Sequence, residues 1–331
     1  MSAPVHAPRT FPFGSMYVAV GLLQILKRVG LAKPVVRLAL RQMLPEERRA
    51  QAFAGYTPTE HDVFVATFGK SGTNWMMQIA QQISSRGEGE YGHIHDVVPW
   101  PDSPIPGLIS LSDPGPREQA PTGLRVIKTH LAAEHVPYCE EATYLTIVRD
   151  PKEVLVSAYY FLGGILGVLS HLTIDAWFEL SMQPGGMMTA WANHTQSFWR
   201  WRDRPNTFVA SFGDVQRDSR GTIERVAGRM GVSLTEEEID RVVERSSFTY
   251  MKAHESQFNP PRSPFTGKDG GARMIRRGRS GASDELLSRA QQAAIDRLCQ
   301  AELRRLGSDF PYAEIFEVVT DPSPVGDQAL S

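Results

Sequence analysis

The chain has 331 residues and a mass of 36.8 kDa, room for one large α/β domain with excursions or for two average domains. With 41% apolar and 22% charged residues it can bury a sizeable core, which excludes wholesale disorder, while 35 basic against 37 acidic side chains argue against a dedicated nucleic-acid binder. The two cysteines, Cys139 and Cys299, stand far apart in no metal-like spacing, which excludes a disulfide scaffold or zinc ribbon and fits a reducing, cytoplasmic setting.

Charge is unevenly spread. Residues 1–50 carry eight basic side chains against Glu46 and Glu47, so the rest of the chain holds the compensating acidic excess. The apolar run Met16–Leu26 is 11 residues, too short to span a bilayer, and basic Lys27-Arg28 follows with no small-x-small cleavage site. Val18, Leu22, Ile25 and Val29 share one helical face, and a second amphipathic helix is expected after Pro34. Two helices packed on the main domain are the first reading of this arm. Peripheral membrane contact through residues 1–45, basic and apolar together, is the second. The expected division is a helical arm over 1–55, one catalytic domain over 56–318 and a tail over 319–331.

Past the arm, Asp62–Phe68 is a short β-rich run ending in Gly69-Lys-Ser-Gly-Thr-Asn-Trp75, with a helix expected next from the spacing of Met76, Ile79, Ala80 and Ile83. Residues 99–123 hold seven prolines and are expected to form a long functional loop. Strands are expected at Leu124–Lys128, Tyr144–Val148 and Thr207–Ser211, with helices at Lys152–Phe161, Ile174–Leu180, Thr189–Trp201, Thr222–Met230 and Glu236–Arg245. Residues 256–284 read as a loop, and a last helix is expected over Ser283–Leu306. Strand–helix alternation implies an α/β fold of three layers, a central parallel sheet flanked by helices.

A strand feeding a Gly/Ser/Thr loop and then a helix is an anion-binding device, because backbone N–H groups and the positive helix end converge there. Lys70 adds a charge, and Ser71, Thr73 and Asn74 add donors. Gly69-Lys70-Ser71 matches the end of a nucleoside-triphosphate loop, but Phe64 stands where that motif needs its first glycine. The apolar run Tyr144–Val148 before Arg149-Asp150 still mimics the second motif of a P-loop kinase using ATP and magnesium, which keeps that enzyme as the alternative. A non-catalytic nucleotide-binding scaffold is the third reading.

Three segments in order resemble the sulfotransferase family that uses 3′-phosphoadenosine 5′-phosphosulfate (PAPS), in its cytosolic-type branch. Lys70-Ser-Gly-Thr-Asn-Trp75 is similar to that family's 5′-phosphosulfate loop, which would comprise Lys70, Ser71, Gly72, Thr73, Asn74 and Trp75. Lys128-Thr-His130 resembles the segment that supplies the catalytic base, and Arg149-Asp-Pro-Lys-Glu-Val-Leu-Val-Ser157 resembles the 3′-phosphate segment. Ser247, Phe248 and Met251 resemble the lining of an adenine pocket, and Arg276-Arg277-Gly278 a motif that returns to the 3′-phosphate. The likeness runs from about residue 60 to 310.

The resemblance implies PAPS as donor, its product 3′-phosphoadenosine 5′-phosphate (PAP), and a small-molecule hydroxyl acceptor. Lys70 would follow the bridging oxygen as charge develops, His130 would take the acceptor proton, and Lys128 would stabilise the transferring group. Arg149 and the Ser157 hydroxyl would grip the terminal phosphate. No metal is needed, and the sequence offers no carboxylate cluster to hold one. His194, in a Trp-x-x-His pattern with Trp191, and Phe161 would border the acceptor, although a lone histidine or aromatic on a helix is also ordinary core. The apolar, glycine-rich run after Phe161 favours a lipophilic alcohol, phenol or lipid-like metabolite.

The chain departs from the family pattern at Gly69, where a proline is usual, and at Phe212, where a tyrosine is common before an acidic residue. After Gly278 the Gly-Asp-Trp-Lys continuation gives way to Gly281-Ala-Ser-Asp284, and no dimerisation segment is recognisable, so the oligomeric state stays open.

Overall fold

The computed structural model describes residues 46–103, 107–166, 173–259, 275, 281 and 283–320. The two arm helices expected before residue 45, the motif Arg276-Arg277-Gly278, the end of the apolar run after Phe161 and most of the tail lie outside the described residues.

Helix α1 (Glu46–Gln51) precedes β1 (Asp62–Ala66), which runs through a tight loop into α2 (Thr73–Ser84). A short helix, α3 (Gly115–Gln119), interrupts the stretch expected to be all loop; Pro116 at its second position is compatible with a first turn, where its missing N–H costs nothing. Strands β2 (Arg125–Thr129) and β3 (Thr143–Val148) follow, then α4 (Pro151–Leu166), which continues beyond Phe161 through two glycines. Next come α5 (Ile174–Ser181), α6 (Met187–Trp199), β4 (Thr207–Ser211), α7 (Phe212–Arg217), α8 (Ser219–Arg229) and α9 (Glu236–Arg245). Helices α10 (Phe248–Ala253), α11 (Arg289–Arg305) and α12 (Tyr312–Ile315) complete the order. The last long helix starts at 289 rather than 283 because Ser288 caps it: its hydroxyl accepts from Gln291 N–H and the Gln291 side chain returns to Ser288 N–H at 2.9 Å.

The four strands pair in parallel in the order β2-β1-β3-β4, as expected for an α/β sheet with helical crossovers. Side chains alternate between faces with period two. Val63, Val65, Leu145 and Ile147 pack with α2, α8 and α9 on one face, while Phe64, Ala66 and Tyr144 pack on the other with Phe53 and Phe198. Both faces are therefore covered, which is why these strands read as unbroken apolar runs. Asp62, buried at the start of β1, accepts from Thr59 N–H at 2.8 Å, the Tyr56 hydroxyl at 2.6 Å and Arg125 Nη2 at 2.8 Å. That pair pins β1 to β2 at the end of the sheet opposite the loops that carry the chemistry. Among the described residues, no helix is long and apolar enough to cross a membrane.

Candidate functional site

The chemistry-bearing residues that the structure brings together lie at or past the carboxyl ends of the strands, where an open parallel sheet leaves a crevice. The loop after β1 is wound tightly. Ser71 N–H closes a turn on Phe68 O at 3.1 Å, Lys70 sits in the left-handed region at φ 68° and Gly72 at φ 106°. A non-glycine residue held at positive φ stores backbone strain, a feature that clusters at functional sites. Gly72 precedes α2 with no side-chain cap, so the first-turn N–H groups of the helix face the loop. The Ser71 hydroxyl, in the middle of this loop, is fully buried and has no partner among the described residues. Thr73, by contrast, is engaged: its hydroxyl meets that of Thr67 at 2.5 Å.

Gly72 is required sterically as well. A Cβ built there would fall 3.0 Å from the Phe212 ring. Gly72→Ala is expected to destabilise the fold by about 1–3 kcal/mol through left-handed strain, with overpacking added, and a urea titration checks it.

Phe212, at the start of α7, is the hub of this wall. Trp75 meets its ring edge-on at 5.4 Å, and the Arg149 guanidinium lies 4.6 Å over it. Phenylalanine in place of the usual tyrosine thus serves both the β1 loop and Arg149. Trp75 donates its indole N–H to Ser246 O at 2.9 Å, which ties α2 to the turn before α10. In that turn Ser247 caps α10 by accepting from Tyr250 N–H; within α10 Met251 is core and Phe248 is 43% exposed, while Asn74, in the first turn of α2, is half-buried.

Arg149 follows β3 and is held from several sides. Its carbonyl accepts the Trp191 indole N–H at 3.0 Å, its Nη1 donates to Lys70 O at 3.1 Å, and its Nη2 pairs with Glu153 at 3.1 Å. Along α4, Glu153, Ser157 and Phe161 recur every four residues and so share a face. Glu153 touches Arg149, and the Phe161 ring lies 3.9 Å under Lys70 Nζ, so Ser157 stands one turn from each end of a bridge between the two cations.

At the end of β2, Lys128 is buried with Nζ 3.3 Å over the Trp100 ring. Burial pulls both lysines down to about 7; the Arg149 charge presses further on Lys70, and the Lys70 charge on Lys128, against the opposing pull of Asp102. A chain of repulsion from Arg149 through Lys70 to Lys128 in one crevice is what a polyanion relieves. His130, half-buried, places Nδ1 2.8 Å from Thr67 O, its backbone N–H donates to Asp102 Oδ2 at 3.0 Å, and Trp100 meets its ring edge-on at 5.3 Å. Burial first, then Lys128, lowers His130 to about 3. His194 is buried between Phe68 and Phe198, with Nε2 unpartnered among the described residues; burial lowers it to about 3, and it is near enough to His130 to depress it further.

Sequence reasoning missed Trp100, Asp102, Thr67 and Glu153. Trp100-Pro-Asp102 sits inside the proline-rich stretch flagged as functional, which was the available signal. Thr67 acts through a carbonyl that no motif marks, and Glu153 stands inside the Arg149–Ser157 segment, where its i,i+4 spacing from Arg149 was the available signal. Asp150, on which a kinase would hold magnesium, is instead paired with Lys152: it accepts from Lys152 N–H at 2.9 Å, with Nζ at 3.2 Å, and Lys152 in turn reaches Asp296 at 2.6 Å.

Comparison with known proteins identifies the family of the domain and its fold. The sequence model of the sulfotransferase domain matches residues 60–307. Sulfotransferase 2A1 of Macaca fascicularis is 27% identical over 261 residues, covering 76% of this chain and 88% of that protein. A 3-alpha-hydroxysteroid sulfotransferase of Cavia porcellus is 28% identical over 248 residues, covering 74% of this chain and 84% of its own. In solved structures the fold matches retinol dehydratase in complex with androsterone and inactive cofactor PAP, with a TM-score of 0.62 at 18% identity over 82% of this chain and 88% of that one. Mouse sulfotransferase SULT7A1 complexed with PAP matches with a TM-score of 0.57 at 19% identity, over 80% and 90%. None of this supports a kinase. The chain belongs to the sulfotransferase domain family and is an enzyme that transfers a sulfuryl group to a hydroxyl acceptor.

Proposed function

We propose that the donor is PAPS, held between Lys70 at its phosphosulfate end and Arg149 at its 3′-phosphate, with a lipophilic hydroxyl compound as acceptor. The observation that carries this reading is the single cationic bridge from Lys70 to Arg149 along the Glu153–Ser157–Phe161 face, bordered by a helix start with no side-chain cap. The residues present fit such a donor: the buried Ser71 hydroxyl, the first-turn N–H groups and the two depressed lysines all favour a bound anion. When bound, PAPS would supply an activated sulfuryl group for transfer to the acceptor oxygen. Lys70 then neutralises charge on the departing side, Lys128 supports the transferring group and His130 takes the acceptor proton. Phe161, Phe68 and Trp100 give the acceptor side an aromatic lining, which favours a lipophilic molecule. A relative named for hydroxysteroids and a structural neighbour crystallised with androsterone agree with that chemistry.

Calorimetry separates this reading from nucleoside-triphosphate use. PAP is expected to bind without magnesium, and ATP with magnesium is not. In Arg149→Ala, PAP affinity is expected to fall about 10²-fold, the scale of two charge-assisted hydrogen bonds. Equal affinity of the variant and the parent would remove Arg149 from the donor site.

A further inference from the structure

We propose that Glu153 is a positioning residue that holds the Arg149 guanidinium in its donor-binding pose and ties that pose to the chain at Ser283; this rests on Arg149 as the 3′-phosphate grip. Glu153 lies in the first turn of α4 and is only 4% exposed. Its two carboxylate oxygens serve different elements. Oε2 accepts from Arg149 Nη2 at 3.1 Å, and Oε1 accepts the buried backbone N–H of Ser283 at 3.0 Å. Ser283 opens the short turn Ser283–Glu285 ahead of α11, in the stretch where the sequence leaves the family pattern.

Around Arg149, Trp191 fixes the main chain, Phe212 sets the plane of the guanidinium and Lys70 O takes one edge. Glu153 supplies the ionic contact on the second edge. A carboxylate beside an anion site repels the ligand, so its place there needs a compensating role. Orienting a planar five-donor cation is such a role, because bidentate capture of phosphate fails when that plane is misaimed. The pairing with Ser283 makes the same carboxylate report whether the segment entering α11 is docked.

Glu153→Gln isolates the effect. The amide oxygen can still accept from Ser283 N–H, while the amide nitrogen cannot pair with Arg149. In the full chain the Kd for PAP is expected to rise about tenfold, with the donor KM rising by the same factor and kcat at saturating donor falling far less. The Arg149→Ala/Glu153→Gln double variant is expected to bind PAP no more weakly than Arg149→Ala alone, because Glu153 acts through Arg149. Glu153→Asp keeps the charge with a shorter reach and is expected to recover part of the affinity; it carries the test should the glutamine variant not fold. Unchanged or tighter PAP binding in the folded variants, or additive losses in the double variant, would overturn the assignment. A parent chain that does not bind PAP would instead remove the donor reading on which it rests.

Discussion

Lys70→Ala is expected to lower turnover by about two to four orders of magnitude, the scale of removing a group that stabilises charge developing in a transition state. The side chain is placed by a strained turn at φ 68°, and its ammonium rests 3.9 Å over Phe161. Burial and Arg149 bring its pKa to about 7, so near neutral pH it is only partly charged in the unliganded protein. An anionic donor favours the ammonium and raises that pKa, and the same holds for buried Lys128. The sign follows from linkage. Below pH 7 both lysines are already charged and binding needs no proton; above pH 7 binding must take protons up, so donor affinity falls as pH rises. Calorimetry in buffers of different ionisation enthalpy is expected to show proton uptake near pH 8, reduced in Lys70→Ala to the share that Lys128 takes. Turnover of that variant within tenfold of the parent would remove the lysine from the chemical step.

Much of this arrangement is written locally. The β1 loop and the strand entering Arg149 each combine an unbroken apolar run with a turn signal, the helix carrying Ser157 follows at once from Pro151, and local signals of that kind survive folding. The expected helices Glu236–Arg245 and Ile174–Leu180 agree with α9 and α5 because Thr235 and Thr173 are legible caps. Less legible were contacts made across the fold. Phe212 could be read only as a lost tyrosine hydroxyl, because its contacts with Gly72, Trp75 and Arg149 exist only once α7 folds back over the loop. Asp102 is an acidic residue in a proline-rich stretch until its carboxylate meets the His130 N–H. Thr67 matters through its carbonyl, which carries no side-chain signature. Arg276, Arg277 and Gly278 keep the standing of a resemblance, since they lie outside the described residues.

His130→Ala is expected to lower kcat by about two to four orders of magnitude while leaving PAP affinity within about threefold, the pattern of a group that touches the acceptor rather than the donor. Thr67 O can only accept, so the 2.8 Å contact places the proton on His130 Nδ1 and leaves the Nε2 lone pair for the acceptor hydroxyl. Desolvated by its surroundings and pressed by the neighbouring Lys128 charge, the half-buried imidazole is held down to about 3 and is therefore neutral throughout the working range. A base of ordinary pKa would lose activity below about pH 6.5, where it becomes protonated. Here that acid limb is expected to move toward pH 3, out of reach of the assay, so that kcat/KM is limited on the alkaline side by the two lysines near 7. His130→Asn is the sharper variant. Its amide can keep a bond to Thr67 O but cannot take up a proton, so it is expected to be as slow as alanine with stability closer to the parent. Near-parent turnover in either variant, or an acid limb near pH 6.5 that persists in both, would assign the proton transfer to another group.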